Sequence, residues 1–185
     1  MNAKPDKLTG EFGLWLTRYL RYNNPYRRYS VFYDPGDDQK NGHESTVKGF
    51  CGERLTNADR LTDIDVIVVN EDNEIELLIE IEDIGISSKT LLGDIFATLL
   101  CDRFAVIKNG VHMYFDVLST TQLIVAAVDN THFAKRNHFE HGVVPKLQQT
   151  ITFNISDIKF VFGDDARSSI ENLKDKMMEI FPEEY

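Results

Sequence analysis

The sequence predicts an α/β (α+β) domain with a central mixed β-sheet flanked by helices. Three observations carry this expectation. Amphipathic stretches of helical period lie near residues 9–22, 89–103 and 168–180. Two apolar runs, residues 66–69 and 77–81, flank the polar turn Glu71-Asp72-Asn73-Glu74, the signature of a hairpin. Residues 123–128 form an unbroken apolar run, as in a strand buried on both faces. A helix separates this run from the hairpin, and such a crossover predicts a parallel neighbour, hence a mixed sheet.

Length and composition set the frame. The 185 residues suffice for one domain with a substantial core, and 42% hydrophobic and 11% aromatic content fit a soluble globular protein. No apolar run reaches the about 18–20 residues of a membrane span. Met1-Asn2-Ala3-Lys4-Pro5-Asp6-Lys7 has no apolar segment behind it that reads as a signal peptide, so a cytoplasmic location is expected. Two cysteines, Cys51 and Cys101, make neither a disulfide framework nor a zinc spacing. The net charge of −10 repels nucleic acid over most of the surface. A nucleic-acid function therefore requires a local basic patch or a metal that reverses the sign at the site.

Along the chain, Thr9 is placed to cap a helix running to about Tyr22, with Phe12, Trp15, Leu16, Tyr19 and Leu20 on one face. Asn23-Asn24-Pro25 ends it, and residues 28–33 read as a first strand. Residues 34–59 read as a long polar loop with turn signals at Pro35-Gly36-Asp37-Asp38 and Asn41-Gly42. The hairpin follows. Ser87 or Ser88 then caps a helix from Lys89 to about Arg103, with Leu91, Leu92, Ile95, Phe96, Leu99 and Leu100 as its apolar stripe. Asn109-Gly110 predicts a second hairpin from residues 104–108 and 111–118. Residues 131–149 read as partly helical, interrupted near Gly142 and Pro145, and residues 158–162 as a strand. Ser168-Ser169-Ile170-Glu171 has the form of a capping box, opening a last helix with Ile170, Leu173, Met177 and Ile180 inward.

The acids of the first hairpin are its unusual feature. Asp65 opens one strand and Glu80 and Glu82 close the other, so an antiparallel pairing makes those ends neighbours. Alternation places Glu80 and Glu82 on one face. Three carboxylates at one end of strands that look central are costly unless a cation or protons neutralise them. The plain alternative is an edge strand with one wet face, along which Glu74, Glu76, Glu80 and Glu82 simply alternate.

An α-β-β-β-α-β order, with Asp at the start of the second core strand and a Glu-x-Lys-like ending to the third, resembles the PD-(D/E)xK nuclease superfamily. The resemblance covers roughly residues 10–128, leaving 129–185 as a C-terminal extension. It implies a restriction-endonuclease-like core and a Mg2+- or Mn2+-dependent endonuclease acting on nucleic acid, DNA foremost. Asp65 matches the motif aspartate, with Asp63 as runner-up, and Glu80, fifteen residues on (80 minus 65), matches the motif acid. Both would be metal ligands. Glu82 stands where the motif has lysine, as it does in some restriction enzymes. It would be a third acid or general base, and Lys89, in the next helix, would be the relocated lysine. A member without its lysine would be an inactive binding or assembly module instead. Enzymes of this type that cut both strands often act as homodimers.

Independently of any family, two carboxylates from adjacent strands and a backbone carbonyl, such as that of Ile81, suit a hard cation. Arg18, Arg21, Arg27 and Arg28 interleave with Tyr19, Tyr22, Tyr26 and Tyr29, a pattern that can grip phosphates and stack bases. More often such arginines are the wet face of an amphipathic helix and its exit. Lys135-Arg136-Asn137-His138 is a smaller basic cluster, and of His132, His138 and His141 only the last two have an i, i+3 spacing. Glu53 reads as an ordinary loop acid. Cys51 lacks an adjacent base and Cys101 lies in the second helix as core.

Overall fold

The computed structural model describes residues 5–34, 46–52, 55–82, 88–108, 110–128, 137–150 and 155–183. Helix α1 (Pro5–Asn23) buries Leu8, Phe12, Leu16 and Leu20 at the predicted helical spacing. It starts ahead of Thr9, with proline in the first position, where the missing N–H costs nothing. Thr9 is buried inside the helix and does not cap it.

Strands β1 (Ser30–Tyr33), β4 (Val66–Val69), β5 (Ile75–Glu82), β8 (Gln122–Val128) and β9 (Asp157–Gly163) form a five-stranded sheet in the order β1-β4-β5-β8-β9. The pairs β1–β4 and β4–β5 are antiparallel, and β5–β8 and β8–β9 are parallel. The sheet is mixed, as expected from the crossover through α2 (Ser88–Leu99). The β4–β5 turn is locked by Asn70, whose side-chain oxygen accepts from the N–H groups of Asp72 and Glu74, both at 3.0 Å. Asn73 takes the left-handed conformation there (φ 63°), which asparagine tolerates.

Each face of this sheet carries its own apolar layer. Val66, Val68, Leu77, Ile79, Ile124 and Ala126 pack against Phe12 and Leu16 of α1 and against Leu173 and Met177 of α4 (Ala166–Ile180). Ile67, Leu78, Leu123 and Val125 face Leu91 and Ile95 of α2 and a second sheet. That sheet joins β3 (Arg60–Ile64), β2 (Val47–Phe50), β6 (Arg103–Lys108) and β7 (Val111–Asp116) in the order β3-β2-β6-β7, all antiparallel. The predicted second hairpin is its β6–β7 pair.

Two further expectations are corrected. The segment read as loop from residue 34 to 59 holds β2 and lies beside β3. Val47 and Phe50 of β2 are buried, and Gly49 fits closely against Cys101 and Phe104. Residues 35–45 and 53–54 of that segment lie outside the described residues. The cap of α4 is Asp165, three residues before Ser168. Its carboxylate accepts from Ser168 N–H (2.7 Å) while Ser168 Oγ accepts from Asp165 N–H (3.0 Å). Before β9, a π-helical turn (Phe139–Val143) runs directly into α3 (Val144–Thr150). Pro145 falls in the first turn of α3, where proline is tolerated. Among the described residues no helix is long and apolar enough to cross a membrane.

Candidate functional site

Asp65 sits where the chain leaves the second sheet and enters the central one. Because the chain before Val66 diverges there into β3, β5 loses its partner on the β4 side at Ile81, while β8 still pairs with it on the other. The Asp65 side chain replaces the lost partner: Oδ2 accepts from Ile81 N–H at 2.7 Å. The Asp65 carbonyl accepts from Asp34 N–H at 2.9 Å, and its own N–H donates to the Glu80 carboxylate. N–H and C=O of one strand residue point to the same side, so the Ile81 carbonyl also faces this gap.

The register Val66↔Ile79 brings Asp65 beside Glu80. Alternation along β5 puts Glu80 on the side of Leu78, toward α2 and the second sheet. Glu80 is only 9% exposed, and its Oε2 has no hydrogen-bond partner among the described residues. Burial pushes its carboxyl well above the usual range, and the negative charges of Asp65, Glu82 and Asp94 push it further. The bond from Asp65 N–H opposes them more weakly. Glu82, half-buried at the strand end, completes the predicted trio.

The edge-strand alternative does not describe β5, which pairs with β4 on one side and β8 on the other. It does describe the early part of the acidic alternation. Glu74 is exposed and Glu76 half-buried, and both accept from Asn70 Nδ2, at 3.0 and 3.1 Å.

Asp94 is the participant that sequence reasoning missed. It projects from α2, and burial raises its carboxyl above the usual range. The available signal was its place at the border of the stripe, between Leu91 and Ile95. Lys89 lies in the first turn of α2 and is exposed. Five residues separate it from Asp94, about 140° around the helix. Asp63 is not a member of the group. It belongs to β3 and is ion-paired with Arg60. Among the described residues, no three His, Cys, Asp or Glu side chains stand in a metal-holding arrangement as placed.

The four arginines do not form one patch. All are exposed. Arg18 acts on the Tyr33 hydroxyl, whose pKa is raised by burial and partly restored by that guanidinium. Tyr33 pairs with Val66, so Arg18 lies toward the acids' end of the sheet. Arg27 lies at the other end, beside Glu76 and Gln122. Arg21 is on the helix exit, and Arg28 is two residues ahead of β1. Cys101 is core as expected but lies past the end of α2 at Leu99 rather than in that helix, its thiol pushed up to about 12 by burial, then by Cys51 and Asp102. His138 and His141 are exposed; Glu53, His132, Lys135 and Arg136 lie outside the described residues.

Compared with known proteins, the chain matches no family model, no curated protein and no solved structure.

Proposed function

We propose that this protein is a divalent-metal-dependent, nuclease-like hydrolase of phosphodiester bonds in nucleic acid, DNA foremost, with a restriction-endonuclease-like core. The observation that supports it best is Glu80 Oε2: buried, without a partner among the described residues, and set among further carboxylates. Such an oxygen calls for a proton or a cation, and the donor set around it is all hard oxygen, which suits Mg2+ or Mn2+. Asp65 and Glu80 would hold the ion, with the Ile81 carbonyl and Asp94 adjoining. When bound, the ion supplies Lewis acidity toward a phosphoryl oxygen and a lowered pKa for water. Asp65 is kept in place by the Ile81 N–H. Glu82 orients or deprotonates the attacking water. Lys89 serves the developing charge if its long side chain folds back from solvent. Arg18, at the acids' end of the sheet but on its α1 face, offers a phosphate contact around that end of the sheet.

A second reading, an inactive nuclease-fold binding module, is favoured by Glu82 in the place of the motif lysine. Plasmid cleavage separates the two. The first reading expects nicking or cutting with Mg2+ or Mn2+, none with chelator, and none from Asp65→Ala or Glu80→Ala. Absence of cleavage with every divalent ion, while the metal still binds, leaves the second.

A further inference from the structure

The second sheet ends on β7, which pairs with β6 and, among the described residues, with no other strand. An open edge is a template for another strand, and folded proteins blunt theirs with charge, shortness or a cover. The other three edges follow that rule. β1 has four residues, β3 carries the ion-paired Arg60 and Asp63, and the Phe162 carbonyl of β9 accepts from Asn172 Nδ2 of α4 at 2.8 Å. β7 has none of these devices. It runs six residues in unbroken register with β6, and Val111-His112-Met113-Tyr114-Phe115 includes no Lys, Arg, Asp, Glu or Pro. Val111 is 61% exposed and Tyr114 48%.

One bond fixes which backbone groups of β7 face outward. Val117 N–H donates to the Asp102 carbonyl at 2.9 Å, on the β6 side. Backbone groups alternate sides along an antiparallel strand, so those of Phe115, Met113 and Val111 also turn to β6, and those of His112, Tyr114 and Asp116 turn outward. Side chains alternate as well. His112, Tyr114 and Asp116 stand on the exposed face, and Met113 and Phe115 pack toward the core. The His112 and Tyr114 rings stack at 6.2 Å, and Asp116 Oδ1 accepts from Arg103 Nε at 2.7 Å.

We infer that β7 pairs antiparallel with β7 of a second copy of this chain, Tyr114 opposite Tyr114, joining their four-stranded sheets into one. In this register the outward backbone groups of His112, Tyr114 and Asp116 all find partners. His112 lies opposite Asp116 of the second copy on the exposed face, and Met113 lies opposite Phe115 on the other. A shift of one residue sets outward groups against inward ones. A shift of two in either direction loses both His112–Asp116 pairs. Charge also favours a second copy here. Residues 103–116 hold Arg103 and Lys108 against one acid, Asp116, so chains of net charge −10 meet at this edge without acid facing acid. The pairing does not rest on the nuclease-like reading.

Sedimentation velocity of the full chain over a rising concentration series tests this, and a monomer–dimer equilibrium is expected. Tyr114→Pro should leave a monomer with its β6–β7 ladder intact, because the N–H it removes points outward. Far-UV circular dichroism like that of the wild type checks that this variant folds. Should it not, two substitutions at the exposed position 112 decide. His112→Glu sets an acid against Asp116 of the second copy and should weaken the dimer about tenfold. His112→Lys keeps opposite charges facing and should retain it. The inference is overturned if the wild type stays monomeric throughout the series, if folded Tyr114→Pro dimerises as the wild type does, or if His112→Glu and His112→Lys shift the equilibrium alike.

Discussion

Glu80 is a carboxylate that the folded chain holds at a cost. Below the ordinary glutamate value of about 4.3 it is protonated whether the chain is folded or not. Between that pH and its raised folded value, the folded state keeps a proton that the unfolded state has lost, so stability falls as pH rises. Above the raised value the buried charge is borne in full. Asp165 runs the other way. The N–H of Ser168 is the main cause holding its carboxyl low, so its contribution grows as pH rises through the acid range. The wild type minus Glu80→Gln difference isolates Glu80 from such groups. In urea unfolding with chelator present, Glu80→Gln should match the wild type at low pH and be more stable by about 1–3 kcal/mol at neutral pH. Parallel pH profiles for the two proteins would sink the assignment of a buried, uncompensated charge.

At the scale of elements, close approach decides what a position tolerates. A methyl group built on Gly163 overlaps the backbone nitrogen of Ser169, so β9 and the start of α4 meet only because that residue is glycine. Gly163→Ala should cost about 1–3 kcal/mol through forced separation. Gly93→Ala, on α2 with nothing within 4 Å, should gain about 0.5–1 kcal/mol through helix propensity. Urea midpoints of the two variants that move in the same direction would contradict this packing. The same contrast between local pattern and distant contact explains what could be read from the chain. Helix α1, the β4–β5 hairpin and β8 were legible because each repeats one period or one unbroken apolar run. Strand β2 was not: Val47-Lys48-Gly49-Phe50 is short, and lysine and glycine weaken any strand pattern. Pairing with β3 and with β6, the latter remote in sequence, makes it a strand, and Gly49 lets it lie close against Cys101 and Phe104. Asp65, Glu80 and Glu82 were legible because the hairpin is local. For Asp94 the spacing gave only its place at the border of the α2 stripe; that it meets these acids follows from how α2 packs on the sheet, which no spacing encodes.

The whole molecule carries a net charge of −10, so any cation favours its folded form by screening self-repulsion. That general effect must be separated from a site. Screening depends on ionic strength and is indifferent to which acid is removed, apart from the charge itself. A bound ion instead adds RT ln(1 + [L]/Kd), about 2.7 kcal/mol at one hundred times Kd. The acids acting on Glu80 come from three places in the fold: the sheet-to-sheet bend at Asp65, the end of β5 at Glu82, and α2 at Asp94. A cation among them would tie both sheets and a helix together, and so resist global unfolding. At matched ionic strength, Mg2+ or Mn2+ should therefore raise the thermal midpoint beyond Na+. The excess should vanish in Glu80→Gln and fall in Asp65→Asn, whose amide oxygen still accepts from Ile81. Asp63→Asn, which alters the same charge outside the group, should keep the full excess. Coincident Na+ and Mg2+ curves, or an excess that survives Glu80→Gln, would leave these carboxylates without a cation to explain them.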